Sequence, residues 1–265
     1  MFRVQRGPIT GLVVQFVVLA GLHAAVGIGP AGWCAGLAYG IVVCALLARG
    51  LRRAGAAGLG PGDVVTLGRA VLVGAVTALV VDGFGGAAPV PLLVGLTAVA
   101  LLLDAVDGQV ARRTGTASAL GARFDMEVDA YLILLLGAHL APTLGGWVLA
   151  MGAMRYAFVA AGWALPWLRG TLPPRRWRKV VAAAQGVALA AASAGVLSPA
   201  AASVLLAGAL VLLVESFGRD VGWLWRRRPA RPRPVIGAGR RGGRAHPARP
   251  DPSTEPTPVP PGVSA

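Results

Sequence analysis

Residues 101–131 read LLLDAVDGQVARRTGTASALGARFDMEVDAY, and this stretch decides how the whole chain is to be read. The chain has eleven acidic residues, and five of them (Asp104, Asp107, Asp125, Glu127 and Asp129) fall here, between segments apolar enough for a bilayer. If both flanks are helical, Asp104 and Asp107 share one face of the first helix, and Asp125 and Asp129 one face of the second. Ala111 and Arg112 continue the first face. The polar link Arg113–Gly121, with Thr114, Gly115, Thr116 and Ser118, suits a reversal that brings the two helices together. Four carboxylates then converge on one small volume.

Such a cluster needs neutralising. Left bare in a low-dielectric site, the four would repel one another and some would stay protonated. Mg²⁺ or Mn²⁺ prefers oxygen ligands and often completes its shell with substrate phosphates, so the cluster is expected to hold a metal and a diphosphate. The competing reading pairs the acids with Arg112, Arg113, Arg123 or Arg155. Four acids at this spacing argue for the metal, since ionisable groups inside a membrane are functional by default.

Outward from the cluster, 55% hydrophobic and 14% charged residues, with a mean hydropathy of +0.67, indicate an integral membrane protein. Apolar segments of near-spanning length run Ile9–Val26, Gly32–Leu47, Val64–Val81, Pro91–Val110, Arg123–Leu140, Gly145–Leu168, Val180–Val196 and Ala200–Phe217, which predicts eight transmembrane helices. Alternate connections are basic: Arg3 and Arg6; Arg49, Arg52 and Arg53; Arg112, Arg113 and Arg123; Arg169, Arg175, Arg176, Arg178 and Lys179; then Arg219 and Arg226 onward. The intervening connections contain no Lys or Arg. By the positive-inside rule both termini and the aspartate link face the cytoplasm.

A net charge of +14 raises the possibility of a nucleic-acid partner, but the charges sit in alternate loops and no aromatic platform or RNA-binding module accompanies them. The first apolar segment, preceded by Arg3 and Arg6, is read as half of a retained hairpin rather than a cleaved signal peptide, because it is long and a second apolar segment follows at once. Cys34 and Cys44 are too few and too apolar in setting for a metal or disulfide framework. His23 and His139 have no partner ligands, and His246 belongs to the tail. From Arg226 the chain turns to Arg, Pro and Gly, which predicts a disordered tail able to touch anionic headgroups. The expected division is therefore 1–54 hairpin, 55–225 catalytic membrane domain, and 226–265 tail.

The pattern Asp104-x2-Asp107-Gly108-x2-Ala111-Arg112-x8-Gly121-x3-Asp125-x3-Asp129 resembles the complete signature of the CDP-alcohol phosphatidyltransferase family. Eight fixed positions match, over about a tenth of the chain, with no departure. The resemblance implies an all-α polytopic membrane protein whose six-helix core, roughly Val64–Arg219, follows a two-helix N-terminal hairpin that the family pattern does not explain. It further implies transfer of a phosphatidyl group from a CDP-linked lipid such as CDP-diacylglycerol to an acceptor alcohol, with release of CMP. Asp104, Asp107 and Asp125 would then bind two Mg²⁺ or Mn²⁺ ions, and Asp129 would be a further ligand, the general base, or both. Gly108, Ala111 and Gly121 would allow close approach of nucleotide or helix, while Arg112 would contact phosphate. A homodimer is also implied.

Three residues outside the signature are candidates. Thr66 and Arg69 lie where the family often has a Thr and an Arg near the nucleotide; for Arg69, snorkelling to the interface is the alternative. Arg155, mid-helix in MGAMRYAFVAAG, either pairs with the acid cluster or binds an anionic acceptor. Arg-rich, Lys-poor usage, with Lys179 the one Lys among 25 Lys and Arg residues, points to a bacterial plasma membrane. Two other classes share the physics: intramembrane Mg²⁺-dependent prenyltransferases, which lack the Gly and Ala-Arg positions, and divalent-cation transporters, for which inverted repeats would be expected.

Overall fold

A computed structural model describes residues 6–56, 58–86, 89–115, 118–170, 172–173 and 176–227, the side chains of Arg6, Asp107, Ala111, Arg112 and Arg176 excepted. The expected disordered tail, beyond Arg227, lies outside the described residues. Eight α-helices follow one another and no strand occurs among the described residues: α1 Arg6–Val26, α2 Pro30–Ala54, α3 Pro61–Gly83, α4 Val90–Arg113, α5 Ala119–Leu144, α6 Leu149–Ala164, α7 Arg176–Ser193 and α8 Pro199–Arg226. The chain is an all-α polytopic membrane protein.

Each expected apolar segment overlaps one of these helices. Six, α1 to α5 and α8, are long and apolar enough to cross a membrane. The other two fall short for different reasons. α6 has 16 residues because short 3₁₀ turns at Gly146–Val148 and Pro166–Arg169 trim the apolar run at both ends. α7 opens on Arg176-Trp177-Arg178-Lys179, so its first turn is charged.

α3 is the axis of the bundle, packed by α1, α2, α4 and α5. Its Val73, Ala75, Val76, Ala78, Leu79 and Val80 are at most 1% exposed. What lets α2 approach so closely is its stripe Gly32, Gly36, Gly40, Cys44, one residue per turn on a single face. A Cβ on Gly32 would lie 2.8 Å from the Ala78 carbonyl oxygen, and one on Gly36 3.1 Å from that of Gly74. Side chains there would force the helices apart. Facing outward are Val13, Val17, Leu46, Leu102, Val204 and Val211, all more than half exposed, as a lipid-facing surface requires.

Helix ends carry their own signals. Gly60 donates its N–H to Asp63 Oδ2 (3.0 Å) with Pro61 opening α3, and Ser118 Oγ accepts from the Gly121 N–H (2.9 Å) at the start of α5. α2 stops at Gly55, whose φ of +61° suits a residue without a Cβ.

Candidate metal and diphosphate site

The link after Arg113 joins α4 to α5, and α3 lies against both helices. This places Asp104 of α4 with Asp125 and Asp129 of α5: one carboxylate oxygen from each lies within 4.8 Å of the others. The three are about one-third exposed, so the cluster is open on one side. The side chains of Asp107, Ala111 and Arg112, expected to complete it, lie outside the described residues. Gly108 is half-buried in α4.

Closing the other side is Arg69. It is 1% exposed, and its guanidinium reaches all three acids: Nη1 donates to Asp104 Oδ1, while Nη2 contacts Asp125 Oδ1, Asp129 Oδ1 (3.2 Å) and the Asp125 carbonyl (3.3 Å). One side chain thus ties α3 to α4 and α5. The sequence offered two places for Arg69, at a phosphate or out at the interface. The structure buries it against the carboxylates and not at the interface, with α1, α2, α4 and α5 packed around α3.

Arg69 is one guanidinium shared among three carboxylates. The donor set is all hard oxygen, converging from two helices and open on one side, which fits Mg²⁺ or Mn²⁺.

The remaining candidates are spread around this centre. Thr66, 3% exposed, donates its hydroxyl to the Gly62 carbonyl one turn back on α3 (3.1 Å). Gly121 backs onto the Asp63 carboxylate so closely that a Cβ would overlap Asp63 Oδ1. Arg155 donates from Nη2 to Glu127 Oε1 (2.6 Å), and Glu127 is two residues from both Asp125 and Asp129, hence on the far side of α5. Arg113 and Arg123 are exposed.

Two features escaped the sequence reading. Asp63, the α3 cap that also touches Gly121, was legible as an acid three residues past Gly60-Pro61. The other, Tyr131 held between the Thr77 hydroxyl (3.3 Å) and the Tyr39 ring, had no local signal, since the partners come from two other helices, α3 and α2.

A family model described as CDP-alcohol phosphatidyltransferase matches residues 62–214, more than half of the chain. The match takes in Arg69 and all the acids of the site and begins after α2. No match was found among curated proteins or among solved structures.

Proposed function

The chain belongs to the CDP-alcohol phosphatidyltransferase family, and from that membership we propose that it transfers a phosphatidyl group from CDP-diacylglycerol to an acceptor alcohol, releasing CMP, in phospholipid synthesis. The observation that carries this reading is the convergence of Asp104, Asp125 and Asp129, three signature positions, around buried Arg69.

In this reading Asp104, Asp107 and Asp125 hold two divalent ions, with Asp129 as a further ligand. When bound, Mg²⁺ or Mn²⁺ neutralises the diphosphate of the donor and the charge that develops on CMP. Arg69 keeps the carboxylates converged from beneath, so that little reorganisation is needed when substrate arrives. Asp129 accepts the proton of the acceptor hydroxyl. As that proton leaves, the acceptor oxygen bonds to the lipid-bearing phosphorus and the phosphorus–oxygen bond to CMP breaks. Gly108 and Ala111 leave room for the nucleotide against α4, with Arg112 on phosphate. Thr66 supports the same end of α3.

Arg155 reaches an anionic acceptor in this scheme only by exchanging Glu127 for the acceptor's phosphate. The basic ends of α2, α4, α7 and α8 support a location in a bacterial plasma membrane with the site and both termini facing the cytoplasm. The enzyme is further proposed to be a homodimer, with α1 and α2 as a hairpin added before the family's core.

CMP release from CDP-diacylglycerol tests the reading directly, with the purified protein in lipid, Mg²⁺ and a panel of acceptor alcohols. Release with one acceptor, lost on adding EDTA, is expected. Absence of both CMP release and Mg²⁺-dependent CDP binding would overturn the reading and return the acid cluster to cation transport.

A further inference from the structure

The family match begins at residue 62, yet α2, which precedes it, touches the acid-bearing helix at two levels. At one level the Tyr39 ring stacks on that of Tyr131, with centroids 4.6 Å apart and planes 27° apart. Lower down, Leu120 and Phe124 of α5 pack into the cluster formed by Leu47 and Leu51 of α2 with Leu67 of α3. Gly50 makes room for this: a Cβ there would lie 2.5 Å from Leu120 Cδ1.

Leu120, Phe124 and Tyr131 are spaced i, i+4, i+11, so they form one stripe along α5. Asp125 and Asp129 fall between the two levels of contact, roughly 120° and 160° round the helix from that stripe. A helix gripped along one stripe, above and below a site, cannot turn about its own axis without breaking those contacts. Its rotation is what aims the two carboxylates at Arg69 and Asp104.

We infer that α2 is a positioning element for the metal site, with Tyr39 as its positioning residue: α2 fixes the rotation of α5 and so the direction of Asp125 and Asp129. The inference rests on the proposed metal-binding reading of the cluster. The Tyr39 hydroxyl is buried without a hydrogen-bond partner among the described residues, so the ring makes the contact. Phenylalanine should therefore replace Tyr39, whereas alanine should not. Partners that orient metal ligands typically change affinity 10- to 100-fold when removed.

The test uses the full chain in lipid nanodiscs without substrate, and reads Mn²⁺ affinity by electron paramagnetic resonance and amide hydrogen exchange over residues 119–131. Tyr39→Ala should weaken Mn²⁺ binding about tenfold and speed exchange in that segment. Tyr39→Phe should leave both within about twofold of the parent, which a role for the hydroxyl would not allow. Gly50→Leu, which adds bulk against Leu120, should reproduce the alanine effect and carries the test if Tyr39→Ala does not fold. Lower thermal stability with either readout unchanged in both variants would overturn the inference. Should the parent protein bind no Mn²⁺, the metal reading fails, and exchange over 119–131 alone still decides whether α2 holds α5.

Discussion

At the scale of single residues, the acids were legible in the sequence and their counter-ion was not. Asp104, Asp125 and Asp129 announce themselves because carboxylates are rare in apolar runs and their spacing is helical. Arg69 sits near the start of an apolar run, where an arginine ordinarily reaches for the interface. In the structure it turns inward, with four helices packed around α3. Its burial makes a specific prediction. Arg69→Ala leaves three carboxylates without the cation beneath them and should cost about 2 kcal/mol, the scale of lost charge-assisted hydrogen bonds. Because the loss is electrostatic, added Mg²⁺ should recover part of it. Thermal unfolding with and without Mg²⁺ checks this, and an equal drop in both conditions would contradict it. Asp129→Asn, by contrast, keeps the shape of the side chain but cannot accept the acceptor's proton. Transfer should fall by at least about 10²-fold, while the protein stays folded and still binds CDP in Mg²⁺. Substantial remaining turnover would remove Asp129 as base.

At the scale of elements, hydropathy located every helix but misjudged where helices end. It reports where apolar side chains stop, whereas a helix stops where its backbone finds a cap. α2 was expected to end at Leu47, yet continues through Arg49, Arg52 and Arg53 to Ala54, where Gly55 in the left-handed region caps it. α8 likewise runs past Phe217 to Arg226. Close packing was equally hidden, since a glycine in an apolar run does not say what lies against it. Gly152 of α6 is the clearest case: a Cβ there would come within 2.6 Å of the Leu134 backbone nitrogen and side chain on α5. Backbone cannot swing aside, so Gly152→Ala must push α6 off α5. Thermal stability should fall by about 1–3 kcal/mol, the usual cost of overpacking. Mn²⁺ affinity should hold, because Leu134 lies beyond the acid-bearing turns. A drop in affinity larger than the drop in stability would instead tie α6 to the site.

At the scale of the whole molecule, the alternation of basic and neutral connections implies an orientation, and α6 and α7 are where it is exposed to test. At 16 residues, α6 rises about 24 Å, short of a hydrocarbon core of about 30 Å unless the 3₁₀ turns at its ends add to it. If neither α6 nor α7 crosses, the count falls by two and both termini stay on the same side, so terminal reporters cannot tell the difference. The connection between α6 and α7 can. With all eight helices crossing, Arg169, Arg178 and Lys179 lie in the cytoplasm, as the positive-inside rule demands; with six, they lie outside. In a chain carrying Cys34→Ala and Cys44→Ala, Leu172→Cys should therefore react with a membrane-impermeant maleimide only after cells are permeabilised. Thr114→Cys, in the exposed link beside the acid cluster, should behave the same way, and Gly86→Cys should react in intact cells. Labelling of Leu172→Cys in intact cells, with the other two as expected, would leave α6 and α7 as a pair resting at the outer face. The acid cluster would stay cytoplasmic, but Arg155 and the basic start of α7 would lose any route to a cytoplasmic acceptor.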